Sequence, residues 1–162
     1  MSFSLEKLKN LILYVGGNPH VPELGETKLW KLIYFIDSTA LRENGKSVTG
    51  SDFIKYPYGP VPSRGDRAVK QLRKTDDLTI EQEVLDGYRI NKVIPKKEPD
   101  RSLFDEVELE IIQRVCRKLG ASTAAHLSNL SHKEPAWHYA ASLQKLDPDL
   151  MLYGQCEDSE GL

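Results

Sequence analysis

Leu5, Leu8, Leu11, Ile12 and Val15 recur at intervals of three and four. That is the spacing of one helical face, and it predicts a first helix ended by Gly16-Gly17. Pro19 and Pro22 then mark a loop. The longest pattern runs from Glu26 to Glu43, with Leu29, Leu32, Ile33, Ile36 and Ala40 on its main face. Trp30, Tyr34 and Leu41 lie about a third of a turn round, and Phe35 falls near the opposite side. Apolar residues thus cover most of the circumference, which predicts a central helix buried on several sides. Asn44-Gly45 stops it.

From Lys46 to Tyr58 the alternation is weak (Val48, Phe53, Lys55, Tyr56), and Pro57, Gly59, Pro60 and Pro62 follow. An extended segment running into a rigid loop is expected. Ser63 and Asp66 have the spacing of a capping box, opening a third helix to about Lys74 with Ala68, Val69 and Leu72 as its apolar arc. Leu78–Ile80 and Tyr88–Ile90 flank Asp86-Gly87, a turn pair suited to a hairpin. After a charged connector over 95–100, Ser102 is expected to cap a fourth helix with Asp105 and Glu106 in its first turn. Its core face reads Phe104, Val107, Ile111, Val115 and Leu119. Gly120 ends it, and two short helices are expected over Ser122–Leu130 and Pro135–Leu143. The fold class is α+β, mainly α: a helical, bundle-like domain over residues 1–153 with a small hairpin and extended insertion. A flexible acidic tail is expected over 154–162.

Composition narrows the class. The chain has 162 residues, 40% hydrophobic and 28% charged, which suits a folded core and excludes global disorder. Its formal charge of −2 gives no bulk attraction to nucleic acid or to an anionic membrane. Cys116 and Cys156 lack the spacing of a disulfide framework or zinc site, which fits a reducing, cytoplasmic setting. No stretch approaches a membrane span.

Several features could carry chemistry. Asp37 falls about 80° round the wheel from Leu29, between the apolar groups, so an interior or rim carboxylate is expected there. Its candidate partners are Arg42, a tyrosine hydroxyl, or backbone N–H groups in the 57–63 loop. A structural role is favoured over a general acid or base. The segment from Lys55 to Ser63 joins three prolines and Gly59 to two tyrosines, Tyr56 and Tyr58, giving either a rigid turn or a protein-recognition loop. Its prolines remove the N–H donors that a phosphate-cradling loop needs. Between Lys55 and Lys74 there are six basic residues (Lys55, Arg64, Arg67, Lys70, Arg73, Lys74) against Asp66, a local charge of +5. A basic helix followed by a hairpin resembles a winged helix, although the acidic hairpin (Glu81, Glu83, Asp86) weighs against DNA. His126, His132 and His138 are evenly spaced with Glu134 nearby, but six-residue steps across a helix boundary do not suit a metal. Ser131 and Glu134 fit a second capping box with Pro135 early in the helix. No nucleophile motif, metal site or cofactor site is expected.

These residues together resemble a known family. Leu29 to Leu41, reading Leu-Trp-Lys-Leu-Ile-Tyr-Phe-Ile-Asp-Ser-Thr-Ala-Leu, is similar to the central helix of the Panacea-type (SocA-like) antitoxin domain. Residues 44–50 and 55–62, the latter with Tyr58-Gly59-Pro60-Val61-Pro62, resemble its extended segment and turn. Leu130 to Trp137 resembles its Ser-His-x-Glu-x-Ala-Trp element. Ser38 stands where the family often has a basic residue, and Pro57 where an unconstrained one is expected. The resemblance implies a non-enzymatic antitoxin of a bacterial or phage toxin–antitoxin pair, binding its toxin directly and in some members delivering it to an AAA+ protease. It implies scaffold roles for Asp37, Gly59, Pro60, Ser131, Glu134 and Trp137. Candidate partner contacts are Tyr56, Tyr58, Arg64, Arg67, Lys70 and Lys74. A winged-helix nucleic-acid regulator is the second reading, and an enzyme using Asp37 the third.

Overall fold

A computed structural model describes residues 2–154. Most of the expected tail, with Cys156, lies outside the described residues. The elements in order are α1 (Leu5–Gly16), α2 (Glu26–Asn44), β1 (Phe53–Tyr56), β2 (Gly59–Pro62), α3 (Gly65–Lys74), β3 (Leu78–Leu85), β4 (Tyr88–Pro95), a 3-10 turn (Arg101–Leu103), α4 (Glu106–Leu119), α5 (Ala124–His132), α6 (Pro135–His138) and α7 (Pro148–Met151). The architecture is α+β and mainly α, with two antiparallel hairpins, β1–β2 and β3–β4.

Helix α2 is the axle. Every residue from Lys28 to Ala40 is buried, because α1, α4, α5 and both hairpins pack round it. Gly45 ends it in the left-handed conformation (φ 77°), its N–H donating to Leu41 O at 3.1 Å. Ser38 is fully buried and donates to Phe35 O, so a basic side chain would have no room to stay hydrated there.

Asp37 is fully buried, and its partners differ from those expected. Its Oδ1 accepts from the backbone N–H groups of Val48 (2.9 Å) and Thr49 (3.0 Å), and its Oδ2 accepts the Thr49 hydroxyl. The segment just after α2, and not the 57–63 loop, folds back over the carboxylate. Thr49 O in turn accepts from Ser4 N–H at 2.9 Å, tying the cap of α1 to the same segment. Gly50, at φ +72°, lies so close to Ser2 that a Cβ would sit 2.4 Å from its carbonyl oxygen.

The expected rigid loop is a hairpin. Phe53 pairs with Pro62, Ile54 with Val61, Lys55 with Pro60 and Tyr56 with Gly59. The Ser63 N–H bond to Asp52 O fixes the alternation and leaves Pro60 and Pro62 with their nitrogens facing away from β1, where a missing donor costs nothing. The other edge of β1 pairs with the 143–146 segment through Leu143 N–H to Lys55 O, Lys55 N–H to Gln144 O, and Leu146 N–H to Phe53 O. That pairing ends the sixth helix at His138 instead of Leu143.

Caps account for the other differences. Ser63 is held by the hairpin, so α3 starts at Gly65, whose backbone is pressed against the Trp30 ring, with Arg64 as an N-cap lacking a side-chain bond. Asp66 pairs with Lys70 (2.8 Å). Ser102 belongs to the 3-10 turn, and the box that opens α4 is Asp105 with Glu108. Phe104 therefore precedes the helix, and counting on from it misplaces Val107, which is 50% exposed. Ile111, Val115 and Leu119 are buried as expected, and the face also takes in Ile112, Cys116 and Glu108, the last paired with Lys7 at 2.7 Å. Burial pushes the Cys116 thiol up to about 12, so it is inert packing. Helix α5 is capped by Thr123. The expected Ser131–Glu134 box is absent: Glu134 turns inward and accepts the Tyr34 hydroxyl at 3.1 Å. The second hairpin is longer than its apolar residues suggest, with Asp86 (φ 49°) and Gly87 (φ 81°) making the expected turn.

Burial pushes the Asp37 carboxyl up to about 6, against the opposing pull of the Thr49 hydroxyl, the Thr49 and Val48 amides and Lys7. A raised folded-state value means that the fold favours the protonated form. The associated stability, roughly 3 kcal/mol, is fully present below about pH 4 and lost as pH rises through 6. Urea unfolding of Asp37→Asn, which cannot titrate, should therefore gain on wild type by about that amount between pH 4 and 7. Asp37→Ala strands three donors and should cost about 3 kcal/mol or more at any pH.

Candidate functional site

The turn of the first hairpin, Tyr56-Pro57-Tyr58-Gly59, is fixed from outside. Three successive carbonyls accept side-chain bonds: Tyr56 O from Trp137 Nε1 (3.1 Å), Pro57 O from His132 Nε2 (3.1 Å) and Tyr58 O from Ser128 Oγ (2.8 Å). Ser128 and His132 are one turn apart on α5, so one helix face addresses two of them. His132 stacks on Trp137, with centroids 4.0 Å apart and planes at 17°, and the Lys55 ammonium sits 4.1 Å over the Trp137 ring. Lys55 also donates to Ala140 O at 3.1 Å.

Facing a carbonyl, His132 must donate through Nε2. Its pKa is lowered, chiefly by desolvation and further by Lys31 and Lys55, with the Pro57 carbonyl opposing. The imidazole is therefore neutral at pH 7, in the Nε2–H tautomer.

Gly59 has a positional reason. At φ +138° a Cβ would lie 2.8 Å from Ser131 Oγ and 3.2 Å from Lys31 Cε, so only glycine lets the turn settle on α2 and α5. Pro60 and Ser131 are buried, the latter donating to Ser128 O. Lys31 is 2% exposed, its ammonium donating to Thr27 O at 3.3 Å, and burial pulls its pKa down to about 8.

What remains open on this turn is side chain. Tyr56 is 43% and Tyr58 72% exposed, on a backbone with no slack. Tyr139 and Leu143, which the sequence reading passed over, add exposed apolar surface beside β1. Ser128 and His132 were missed as anchors because their partners are backbone atoms 70 and 75 residues away.

The basic residues lie at the other end of β2. Arg64, Arg67, Lys70, Arg73 and Lys74 are all exposed. Arg67, Lys70 and Lys74, with Ser63, Asp66 and Gln71, line a shallow groove of about 440 Å³. The Arg64 guanidinium lies 4.5 Å over the Phe3 ring. About 17 Å of extended chain separates Tyr58 from Ser63, so the tyrosine tip and the basic helix are two patches on one ribbon. Asp37 does not line this groove. Among the described residues no three His, Cys, Asp or Glu side chains gather as metal ligands would.

Hydrogen exchange should report the clamp. Ser128→Ala and His132→Ala each remove one side-chain bond from the turn, so the amides of Tyr56, Tyr58 and Gly59 should exchange several-fold faster while α2 keeps its protection. Each should cost about 1 kcal/mol in urea unfolding.

Comparison with known proteins gives one result. The family model for the antitoxin SocA-like, Panacea domain matches residues 29–138, more than half of the chain. No curated protein and no solved structure matches. The matched span runs from the first turn of α2 to the end of α6. It includes Asp37 with the segment that covers it, the tyrosine hairpin, the basic helix, and the Ser128, His132 and Trp137 side chains that clamp the turn. The chain belongs to the antitoxin SocA-like, Panacea domain family.

Proposed function

We propose that this protein is an antitoxin that neutralises a cognate toxin protein by direct binding, with the Tyr56–Gly59 turn as its central contact and the basic face of α3 as a second. Family membership supports the antitoxin role. The observation that carries the contact assignment is the clamping of three successive turn carbonyls while the tyrosine side chains stay exposed. A turn already held in place loses little conformational freedom on binding, and tyrosine supplies large contact area with few rotors. Arg64, Arg67, Lys70 and Lys74 would steer an acidic partner surface and set its register. In this reading the protein acts in the cytoplasm of a bacterium, as a host or phage component. Delivery of the bound toxin to an AAA+ protease is a further step that the same complex would permit.

The exposed basic face of α3 is the observation that favours the second reading, a nucleic-acid-binding regulator. A helix-turn-helix joins its two helices by three or four residues, whereas here residues 45–64, with a whole hairpin, separate α2 from α3. That spacing favours the protein partner.

The test is a tagged capture from the native host at near-physiological salt after nuclease treatment, read by mass spectrometry. One stoichiometric protein, toxic when expressed alone and rescued by this chain, is the expected result. Nucleic acid alone in a parallel capture without nuclease, and nothing after nuclease treatment, would move the regulator reading to first place. With the partner in hand, the Tyr58→Ala/Arg67→Ala double variant should fold normally by circular dichroism and bind at least about tenfold more weakly. Unchanged affinity in a folded double variant removes the contact assignment.

A further inference from the structure

A second groove, sharing no residue with the tyrosine turn or α3, has a volume of about 740 Å³, within the roughly 300–1,000 Å³ range of ligand clefts. It lies between the end of α1, the 95–101 connector and α4. Its floor is a fixed hydrogen-bond chain. The His20 N–H donates to Asn18 Oδ1 at 2.9 Å, which determines the orientation of that buried amide. Asn18 Nδ2 must then meet the oxygen of Gln113, at 3.0 Å, and the Tyr14 hydroxyl donates to the same Oε1 at 3.2 Å. Gln113 is thereby oriented by two donors, and no protein acceptor faces its Nε2 among the described residues.

The rim is cationic. Lys96, Lys97 and Arg101 line it against Glu98 alone. Lys96 is paired with Asp76 at 3.3 Å, and Asp100 is turned to Ser102, accepting both its N–H and its hydroxyl. The Arg101 guanidinium is set 4.8 Å over the Tyr14 ring, with its donors unclaimed by any carboxylate within 4.0 Å. Pro19, Pro95 and Pro99 give stiff walls that offer no amide donors of their own.

We infer that this groove binds an extended, carboxylate-bearing peptide segment of a partner protein, with a carboxylate on Arg101 and Lys97 and an oxygen on Gln113 Nε2. The Lys97, Arg101 and Gln113 donors outnumber the one open side-chain acceptor, the Glu98 carboxylate, so the missing partner is chiefly an acceptor. A nucleic-acid strand fits less well: Arg101 already occupies one Tyr14 face, and two unpaired cations make no phosphate track. The inference does not depend on the antitoxin reading, and part of the groove, the end of α1, precedes the residues that define the family match.

The experiment is a titration of the full chain with a fluorescein-labelled decapeptide of alternating Glu and Ala, read by anisotropy and by ¹H–¹⁵N chemical shifts. The same peptide with Gln for Glu and a ten-nucleotide single strand are run beside it. Saturable binding of the Glu peptide, with shifts centred on residues 13–19, 95–101 and 113, is expected. Lys97→Gln/Arg101→Gln, at exposed positions, should weaken it about five- to tenfold. Gln113→Glu keeps acceptors for Tyr14 and Asn18 but puts a carboxylate where the donor was, so it should weaken binding at least as much while the fold persists. Absent saturation, equal affinity for the Gln peptide, indifference to both folded variants, or shifts centred on α3 would each overturn the proposal. Tighter binding of the oligonucleotide at the same residues would overturn it in favour of nucleic acid.

Discussion

One buried carboxylate determines how the chain leaves its central helix. Helix α2 has no solvent face over residues 28–40, so whatever follows it must return across its surface. Asp37 gives that return a fixed landing place, since two amides and a hydroxyl of Val48 and Thr49 converge on it. The position of Thr49 then sets both neighbours. Its carbonyl holds the start of α1, and the chain beyond it enters β1 with Phe53 edge-on to Tyr34, ring centroids 5.2 Å apart. Tyr34 in turn reaches Glu134 and so connects α2 to the C-terminal elements. The cost of keeping a charge in this place is large, and three hydrogen bonds, two on Oδ1 and one on Oδ2, offset part of it.

How far the sequence revealed this depended on the range of the interactions. Helices α1 and α2 are local objects: their apolar spacing and terminal glycines specify them, and their predicted bounds agree with the structure to within a residue or so. The Asp86-Gly87 turn is equally local. Capping was less legible. Three Ser-based caps were expected, at Ser63, Ser102 and Ser131, and each serine has another partner: a hairpin carbonyl, the Asp100 carboxylate, or the carbonyl one turn back. A serine three residues before an acid is permission for a box, and tertiary contacts decide whether it forms. Asp37 was correctly placed inside and wrongly partnered, because amides carry no mark in the sequence.

The candidate site divides along the same line. The prolines, the glycine and the two tyrosines drew attention to residues 56–62 on composition alone. Pairing of those residues as a hairpin was hidden by Pro60 and Pro62, which read as strand breakers and are tolerated because their nitrogens face outward. The clamp from Ser128, His132 and Trp137 was beyond reach, since all three bonds end on backbone carbonyls. Evenly spaced histidines invited thoughts of metal. In the folded chain His132 is a donor to a turn, and His138 packs edge-on against Tyr139, centroids 4.9 Å apart.

The clamp also orders events during synthesis. The three carbonyls lie 70, 75 and 81 residues ahead of the side chains that hold them. At about 5–20 residues per second the ribosome needs roughly 4–16 s to cover that interval. In the later part of it the tyrosine turn emerges from the exit tunnel while its anchors have not been made. A nascent or C-terminally truncated chain therefore carries both tyrosines and none of their order. The contact surface comes into being only when the last third of the protein arrives, so a protease that trims α5 and α6 disarms the turn without touching it.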